Sequence, residues 1–130
     1  MTIISKYVAL RNYIPVGLPN ENDFEIKSKS LEIDEENNIY VENSWISVDP
    51  YMRARMTERK NYKPPFNIGE EMEGYAIGEV KESKNLNFSK GDLVFSNFGM
   101  RDNFICNGKD LKKIRPLKFP IQSYLGPLGM

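Results

Sequence analysis

The chain has 130 residues, of which 40% are hydrophobic and 28% are charged, and its 18 lysine and arginine residues balance 18 aspartate and glutamate residues. This length and composition fit one globular domain with a single small core. Zero net charge argues against nucleic acid and against a membrane as partners, because neither finds a basic excess to attract it.

Histidine is absent and Cys106 is the only cysteine, which limits the chemistry available to the chain. A zinc site needs three or four convergent ligands of these types, so we predict no metal. Nucleophile pairs of the Ser-His and Cys-His types are excluded in the same way, and Cys106 is interpreted as a buried strand residue. A single cysteine forms no intrachain disulfide, and residues 1–6 do not resemble a signal peptide, so we expect a cytoplasmic location.

The first half of the chain is predicted to be mainly β. Residues 3–10 have the pattern of an entry strand, and residues 24–33 and 39–48 follow as two further strands separated by polar turn residues. The hydrophobic phase of the third segment reverses near residues 43–44, which predicts a bulge there or burial on both faces.

A short helical turn is expected directly after the third strand. Asp49 suits an N-cap, and Pro50 suits the first helical position because its missing N–H would be unpaired there. Tyr51 then lies in the first turn, near Arg53 and Arg55. From the residues alone, this tyrosine could serve a pocket or pack as a half-buried structural residue, and the arginines could form salt bridges or complement the helix end.

The second half of the chain continues the β pattern. Residues 57–67 predict an exposed, mobile loop, and residues 69–80 predict a glycine-studded strand. Residues 93–95 and 103–106 are predicted to be a pair of short strands, and residues after 115 have a linker-like composition. Together these elements predict a small, irregular β-barrel.

Two charged clusters are interpreted as structural. Glu71 and Glu73 would share a strand face at about 6–7 Å, as in a pair of catalytic carboxylates, but such clusters are usually solvated strand ends. The basic and aromatic residues between positions 60 and 66 are interpreted as a solvated loop, and single-stranded nucleic acid is the less favoured alternative.

Several segments resemble one protein family in the same order along the chain. They are residues 8–13 (Val-Ala-Leu-Arg-Asn-Tyr), 17–19 (Gly-Leu-Pro), 23–25 (Asp-Phe-Glu), 48–53 (Val-Asp-Pro-Tyr-Met-Arg), 69–78, 90–92 (Lys-Gly-Asp) and 125–130 (Leu-Gly-Pro-Leu-Gly-Met). The set resembles the zinc-independent branch of the medium-chain dehydrogenase/reductase superfamily, which includes prostaglandin, alkenal and curcumin reductases. The resemblance implies a mainly β fold, a GroES-like, partly open β-barrel with short helices.

The resemblance also implies a function and a site. Tyr51 and Tyr75 match tyrosines that line the substrate pocket, where they resemble hydrogen-bond donors to an enone oxygen. Pro50 and Met52 would lie against the nicotinamide end of the cofactor. The implied reaction reduces a carbon–carbon double bond conjugated to a carbonyl in a small enone or alkenal, with hydride from NADPH, in a protein that is a homodimer at full length.

The glycine-rich strand-to-helix turn of a dinucleotide-binding domain is absent from these residues. We therefore expect residues 1–121 to form the substrate-side domain and residues 122–130 to begin the linker to a cofactor-binding domain, so that this chain alone would be inactive. Two alternatives remain open. One is a GroES-like binding or assembly module whose interface is an exposed surface around Tyr51 and Met56, and the other is a quinone reductase of the same superfamily.

Overall fold

The computed structural model describes residues 2–58 and 64–114. This part of the chain is mainly β, with one short helix and a 3-10 turn at Glu21–Asp23. In chain order, the elements are β1 (Thr2–Leu10), β2 (Phe24–Glu32), β3 (Ile39–Ile46), α1 (Tyr51–Ala54), β4 (Ala76–Ser83), β5 (Leu93–Ser96), β6 (Asn103–Cys106) and β7 (Lys112–Ile114). No helix in these two ranges is long and apolar enough to cross a membrane.

The strands form two open antiparallel sheets. One sheet is the β1–β2 hairpin, and the other has the order β6-β3-β4-β5-β7. Two isolated bridges, Tyr7 with Arg101 and Ala9 with Glu71, connect the hairpin to the loops of the larger sheet. The prediction of a mainly β, partly open GroES-like barrel is confirmed.

Strand β1 shows why the hairpin packs against the larger sheet. Its buried and exposed residues alternate from Thr2 to Tyr7, as expected for a strand with one face on the core. The buried face includes a polar residue, Ser5, whose hydroxyl donates a hydrogen bond to the Asn103 carbonyl at 2.8 Å. This bond satisfies a polar group that would be costly to bury alone, and it attaches β1 to the start of β6.

The predicted bulge in β3 is confirmed. Asn43 pairs with Gly78 and Trp45 pairs with Ile77, so Ser44 has no partner across the β3–β4 ladder. The Asn43 side-chain amide donates to the carbonyls of Phe98 and Arg101 at 2.8 and 2.9 Å. Because a bulge bends its strand, the end of β3 turns towards α1 and the residues after Gly69.

Among the described residues, the apolar core has two clusters. The cluster beneath α1 consists of Leu10, Ile14, Met52, Met56, Phe66 and Met72. The cluster within the larger sheet consists of Ile39, Val41, Val80, Val94, Phe104 and Cys106. Burial raises the pKa of the Cys106 thiol, which agrees with the interpretation of this cysteine as a buried strand residue.

Two predicted strands differ from the structure. Residues 103–106 form β6, but β6 pairs with β3, whereas β5 pairs with β4 and β7. The predicted strand at residues 69–80 begins only at Ala76, because the preceding residues pack against α1 and the 97–99 segment. Pairing between distant segments depends on tertiary contacts that local alternation does not encode.

The loop predicted at residues 57–67 is only partly exposed. Phe66 is buried in the cluster beneath α1, so the prediction of an exposed loop is wrong at this residue. Burial of the Phe66 ring removes a large apolar area from water and so stabilises the core. Residues 59–63, the linker predicted after residue 115 and the domain boundary predicted at residues 121 and 122 lie outside the described residues.

Glu71 provides a pH-dependent connection between the hairpin and the segment before β4. Its carboxylate pairs with the Lys29 ammonium on β2. Burial raises the pKa of Glu71, but the hydrogen bond and charge of Lys29 outweigh burial, so the pKa lies below its ordinary value of 4.5. A carboxylate with a lowered pKa stabilises the fold above the unfolded-state pKa and loses that contribution as the pH falls through its folded-state pKa.

We therefore expect Glu71→Gln to lower the free energy of unfolding at neutral pH, and we expect the difference from wild type to shrink as the pH falls below about 4.5. Denaturant unfolding at a series of pH values measures this difference. Glu35→Gln, an exposed position, is the matched control. If Glu71→Gln lowered the free energy of unfolding by the same amount at all pH values, the lowered pKa of Glu71 would be contradicted.

Candidate functional site

Helix α1 begins differently from the sequence prediction. Pro50 is its N-cap, with helical dihedral angles of −57° and −31°, and no side chain caps the helix. The Asp49 carboxylate instead accepts a hydrogen bond from the Ser47 hydroxyl at 2.9 Å. The predicted capping role of Asp49 is therefore wrong, because its side chain stabilises the turn that leaves β3.

The structure brings together the two segments that contain the predicted site residues. The Ser47 amide donates a hydrogen bond to the Tyr75 carbonyl at 2.9 Å. A Cβ atom built on Gly74 would lie 2.5 Å from the Met52 Cε atom and 3.6 Å from the Ser47 carbonyl oxygen. The residues before α1 and the residues before β4 therefore form one contiguous surface, although they are more than 20 residues apart in the chain.

A third segment completes this surface. Gly74 and Phe98 form a parallel bridge, and the Gly99 amide donates to the Gly74 carbonyl at 2.8 Å. A Cβ atom on Gly99 would lie 2.6 Å from the Gly74 carbonyl oxygen, and this is a contact with main-chain atoms that cannot rotate away. The missing side chain of Gly99 therefore allows the two backbones to approach this closely.

Tyr75 has an aromatic neighbour at the edge of a cleft. Its ring, on a half-buried residue, stacks on Phe95 with 5.3 Å between the ring centroids and 30° between the planes. Phe95, Glu73 and Asn97 are among the residues that line a cleft of about 600 Å³. This volume lies within the usual range for a small-molecule site.

The other predicted site residues differ from one another in how exposed they are. Tyr51 is the first residue of α1, and its side chain lies outside the described part of the structure. Met52 is 2% exposed and packs in the cluster beneath α1. Pro50 is exposed at the start of the helix. The assignments of Tyr51 and Tyr75 to substrate and of Pro50 and Met52 to cofactor stay predictions.

The surface that the binding-module alternative needs is smaller than predicted. Met56 is only 7% exposed, and it packs with Leu10 and Ile14. Met52 and Met56 both belong to the buried cluster beneath α1. The prediction of an exposed methionine surface around Met56 is wrong.

Charged residues around the site have individual partners. Glu71 pairs with Lys29, whereas Glu73 pairs with Arg55, so the two carboxylates do not act as a pair. Arg53 donates through Nε and Nη2 to the Gly17 carbonyl at 3.1 and 2.9 Å. Within residues 2–58 and 64–114, no group of His, Cys, Asp and Glu residues could hold a metal ion.

A second cleft, of about 560 Å³, lies between the outer face of the hairpin and the end of β3. Its described lining includes exposed apolar residues, Ile26, Trp45 and Ile46, but neither Pro50 nor Tyr75. The described lining of the first cleft also lacks Pro50 and Tyr75, so the clefts do not by themselves locate the site. We take as the candidate site the surface formed by residues 47–52, 73–75 and 95–99, because main-chain hydrogen bonds join these three segments and the predicted residues lie on them.

Comparison with known proteins gives a consistent result. The family model for the N-terminal domain of oxidoreductase matches residues 6–114. The chain is 36% identical to the NADP(+)-dependent 2-alkenal reductase of Nicotiana tabacum, over 98% of this chain and 38% of that protein. It is 33% identical to the NADPH-dependent curcumin reductase of Escherichia coli, over 89% of this chain and 34% of that protein.

Solved structures agree with the sequence relatives. CurA from Vibrio vulnificus matches 97% of this chain and 37% of its own, with a TM-score of 0.85 and 27% identity. The complex of that protein with NADPH matches 92% of this chain and 35% of its own, with a TM-score of 0.77 and 28% identity. The chain therefore spans little more than a third of the length of these relatives.

The close approach of Gly99 and Gly74 can be tested by adding one methyl group. We expect Gly99→Ala to lower the free energy of unfolding by about 1–3 kcal/mol or more, because the new Cβ overlaps main-chain atoms. Thermal or denaturant unfolding measures this loss. Gly17→Ala, which adds the same atom where nothing lies within 4 Å, reports the backbone cost alone at a φ of 90°. A smaller loss of unfolding free energy for Gly99→Ala than for Gly17→Ala would show that the contact between Gly99 and Gly74 relaxes to admit a methyl group.

Proposed function

Because this chain belongs to the zinc-independent medium-chain dehydrogenase/reductase family and matches its N-terminal oxidoreductase domain, we propose that it forms the substrate-side domain of an NADPH-dependent reductase of conjugated carbon–carbon double bonds. The proposed substrates are small enones and alkenals. The observation that carries the proposal is the hydrogen bond from Ser47 to Tyr75, which joins the Pro50–Tyr51 turn to the segment that contains the second tyrosine.

The proposed role of the tyrosines follows from the charge that develops in the reaction. Hydride addition to the β-carbon of an enone moves electron density onto the carbonyl oxygen and forms an enolate, which then takes up a proton at its α-carbon to give the saturated carbonyl compound. A phenol that donates a hydrogen bond to this oxygen stabilises the transition state more than the ground state. The stack of Tyr75 on Phe95 restricts the Tyr75 ring and gives the substrate an apolar wall.

The cofactor would supply the hydride, and the residues next to Pro50 fit its nicotinamide end. Asp49 Oδ2 is buried and has no hydrogen-bond partner among the described residues. A buried acceptor is satisfied by a donor such as an amide N–H, which a nicotinamide carries. Met52 is buried, so contact with the cofactor would involve the main chain of the turn or a shift of the side chain.

The reaction can be tested with the full-length protein. We expect it to oxidise NADPH in the presence of a 2-alkenal or curcumin, and we expect the 130-residue chain alone to give no turnover. Loss of NADPH absorbance, together with the mass of the reduced product, measures the reaction. A reaction without an acceptor is the control. Failure of the full-length protein to reduce any member of a broad panel of enones and alkenals would reject the proposed function.

The two tyrosines can be tested by removing only their hydroxyl groups. We expect Tyr51→Phe and Tyr75→Phe in the full-length protein each to lower kcat by roughly 10²-fold, the effect usual for the loss of one donor to a developing oxyanion. Steady-state kinetics with one enone measures the change. Tyr40→Phe is the matched control, because its hydroxyl bonds to Glu42 on β3. Unchanged kcat and KM in both variants would remove the tyrosines from the site.

A further inference from the structure

Arg55 is a charged side chain buried beneath the candidate site. The residue is the C-cap of α1 and is only 6% exposed. A guanidinium group is costly to remove from water unless it is paired with a carboxylate and its donors are hydrogen-bonded. The groups that pair with the Arg55 guanidinium or accept its hydrogen bonds therefore show which segments Arg55 holds in place.

Three kinds of contact surround the guanidinium. Its Nε atom donates to the Pro64 carbonyl at 2.7 Å, and its Nη2 atom donates to Glu73 Oε1 at 3.3 Å. Its central carbon lies 4.2 Å from the centroid of the Phe66 ring. Arg55, at the end of α1, thus contacts both the 64–66 segment and Glu73, the residue just before Gly74.

The network continues through the carboxylate. Glu73 Oε2 accepts a hydrogen bond of 2.6 Å from the Asn97 side-chain amide. The main chain strengthens the same connection, because the Phe66 amide donates to the Arg55 carbonyl at 2.8 Å. Glu73 therefore connects Arg55 to the 97–99 segment, and that segment binds the Gly74 backbone through Gly99.

We propose that Arg55 is a positioning residue that holds the Tyr51 turn and the Glu73–Tyr75 segment at a fixed separation. It acts through Glu73 and does not touch the substrate. Its importance for catalysis rests on the proposed function, because the two segments matter as a pair only if both tyrosines bind one substrate.

The geometry requires arginine at this position. A guanidinium is planar, so one edge donates to a carbonyl and a carboxylate while its face lies over an aromatic ring. A lysine ammonium is a point charge on a flexible stem and reproduces at most part of this arrangement. Arg55→Lys therefore keeps the positive charge and removes the planar group that makes these contacts together.

Arg53 provides a matched control on the same helix. It makes two hydrogen bonds to a single carbonyl, that of Gly17, and the bonds lie at the exposed surface. We expect Arg53→Lys to leave the candidate site unchanged, since Gly17 lies outside the segments that form it.

Amide hydrogen exchange of this chain tests the proposal without any assay of activity. We expect Arg55→Lys and Glu73→Gln to accelerate exchange at Ser47 and Gly99 by roughly 10-fold to 100-fold, the factor that corresponds to one lost charge-assisted hydrogen bond. Both amides report on the site, because they donate to the Tyr75 and Gly74 carbonyls. The Val80 amide, which donates to the Asp92 carbonyl in the larger sheet, should not change.

Two exchange results would overturn the proposal. Equal acceleration at Ser47, Gly99 and Val80 would mean that Arg55 stabilises the whole fold and does not position the site. No acceleration at Ser47 and Gly99, or the same acceleration in Arg53→Lys, would mean that the Arg55–Glu73 network is not needed to hold the two segments together.

Kinetics of the full-length protein test the catalytic part. We expect Arg55→Lys to lower kcat by about tenfold while KM for NADPH stays unchanged, because an error in tyrosine placement weakens the transition state more than cofactor binding. A kcat equal to that of Arg53→Lys would overturn the catalytic role. If the wild-type protein reduces no enone, the proposed function fails, and the exchange measurement alone decides whether Arg55 positions the two segments.

Discussion

The close approach of three backbone segments at Gly74 is the constraint on which the candidate site depends. Gly74 lies against the end of the Met52 side chain and against Gly99, where main-chain atoms leave no room for a Cβ atom on Gly99. Because the segments are this close, main-chain hydrogen bonds connect all three, from Ser47 to Tyr75 and from Gly99 to Gly74. These main-chain bonds link the backbone of the Tyr51 turn to that of Tyr75, and the Arg55–Glu73 side-chain network acts on the same segments.

Two arginines, the buried Arg55 and the half-buried Arg101, contact the 71–74 segment. Arg55 binds Glu73 from α1, whereas Arg101 donates to the carbonyls of Met72 and Gly99 at 3.2 and 3.0 Å. Burial lowers the pKa of Arg101, and the nearby carboxylates of Glu71 and Glu73 oppose that effect. The segment is short and has no strand pairing of its own apart from single bridges, so these charge-assisted bonds replace the ladder that holds an ordinary strand.

Local sequence signals predicted the strands better than their pairing. The phase reversal near Asn43 identified the bulge, because a bulge changes which residues face the core, and that change is visible in the sequence. The pairing of β6 with β3 was not predictable, because it is set by contacts such as Ser5 with Asn103, which are 98 residues apart. The salt bridge that the sequence offered for Arg55 is present, with Glu73, but the burial of Arg55 and Phe66 was not predicted, because it depends on segments that pack only in the folded chain.

The Val-Asp-Pro-Tyr-Met-Arg segment shows why a motif can identify a family more securely than it identifies a site. Asp49 stabilises the turn after β3, Met52 fills the core, and Arg53 binds the Gly17 carbonyl, so at least half of the motif serves the architecture. The remaining motif residues are Val48, Pro50 and Tyr51, and Val48 and Pro50 are exposed. Because half of the motif serves the architecture, its presence identifies the family, whereas the substrate roles of Tyr51 and Tyr75 rest on the proposed function.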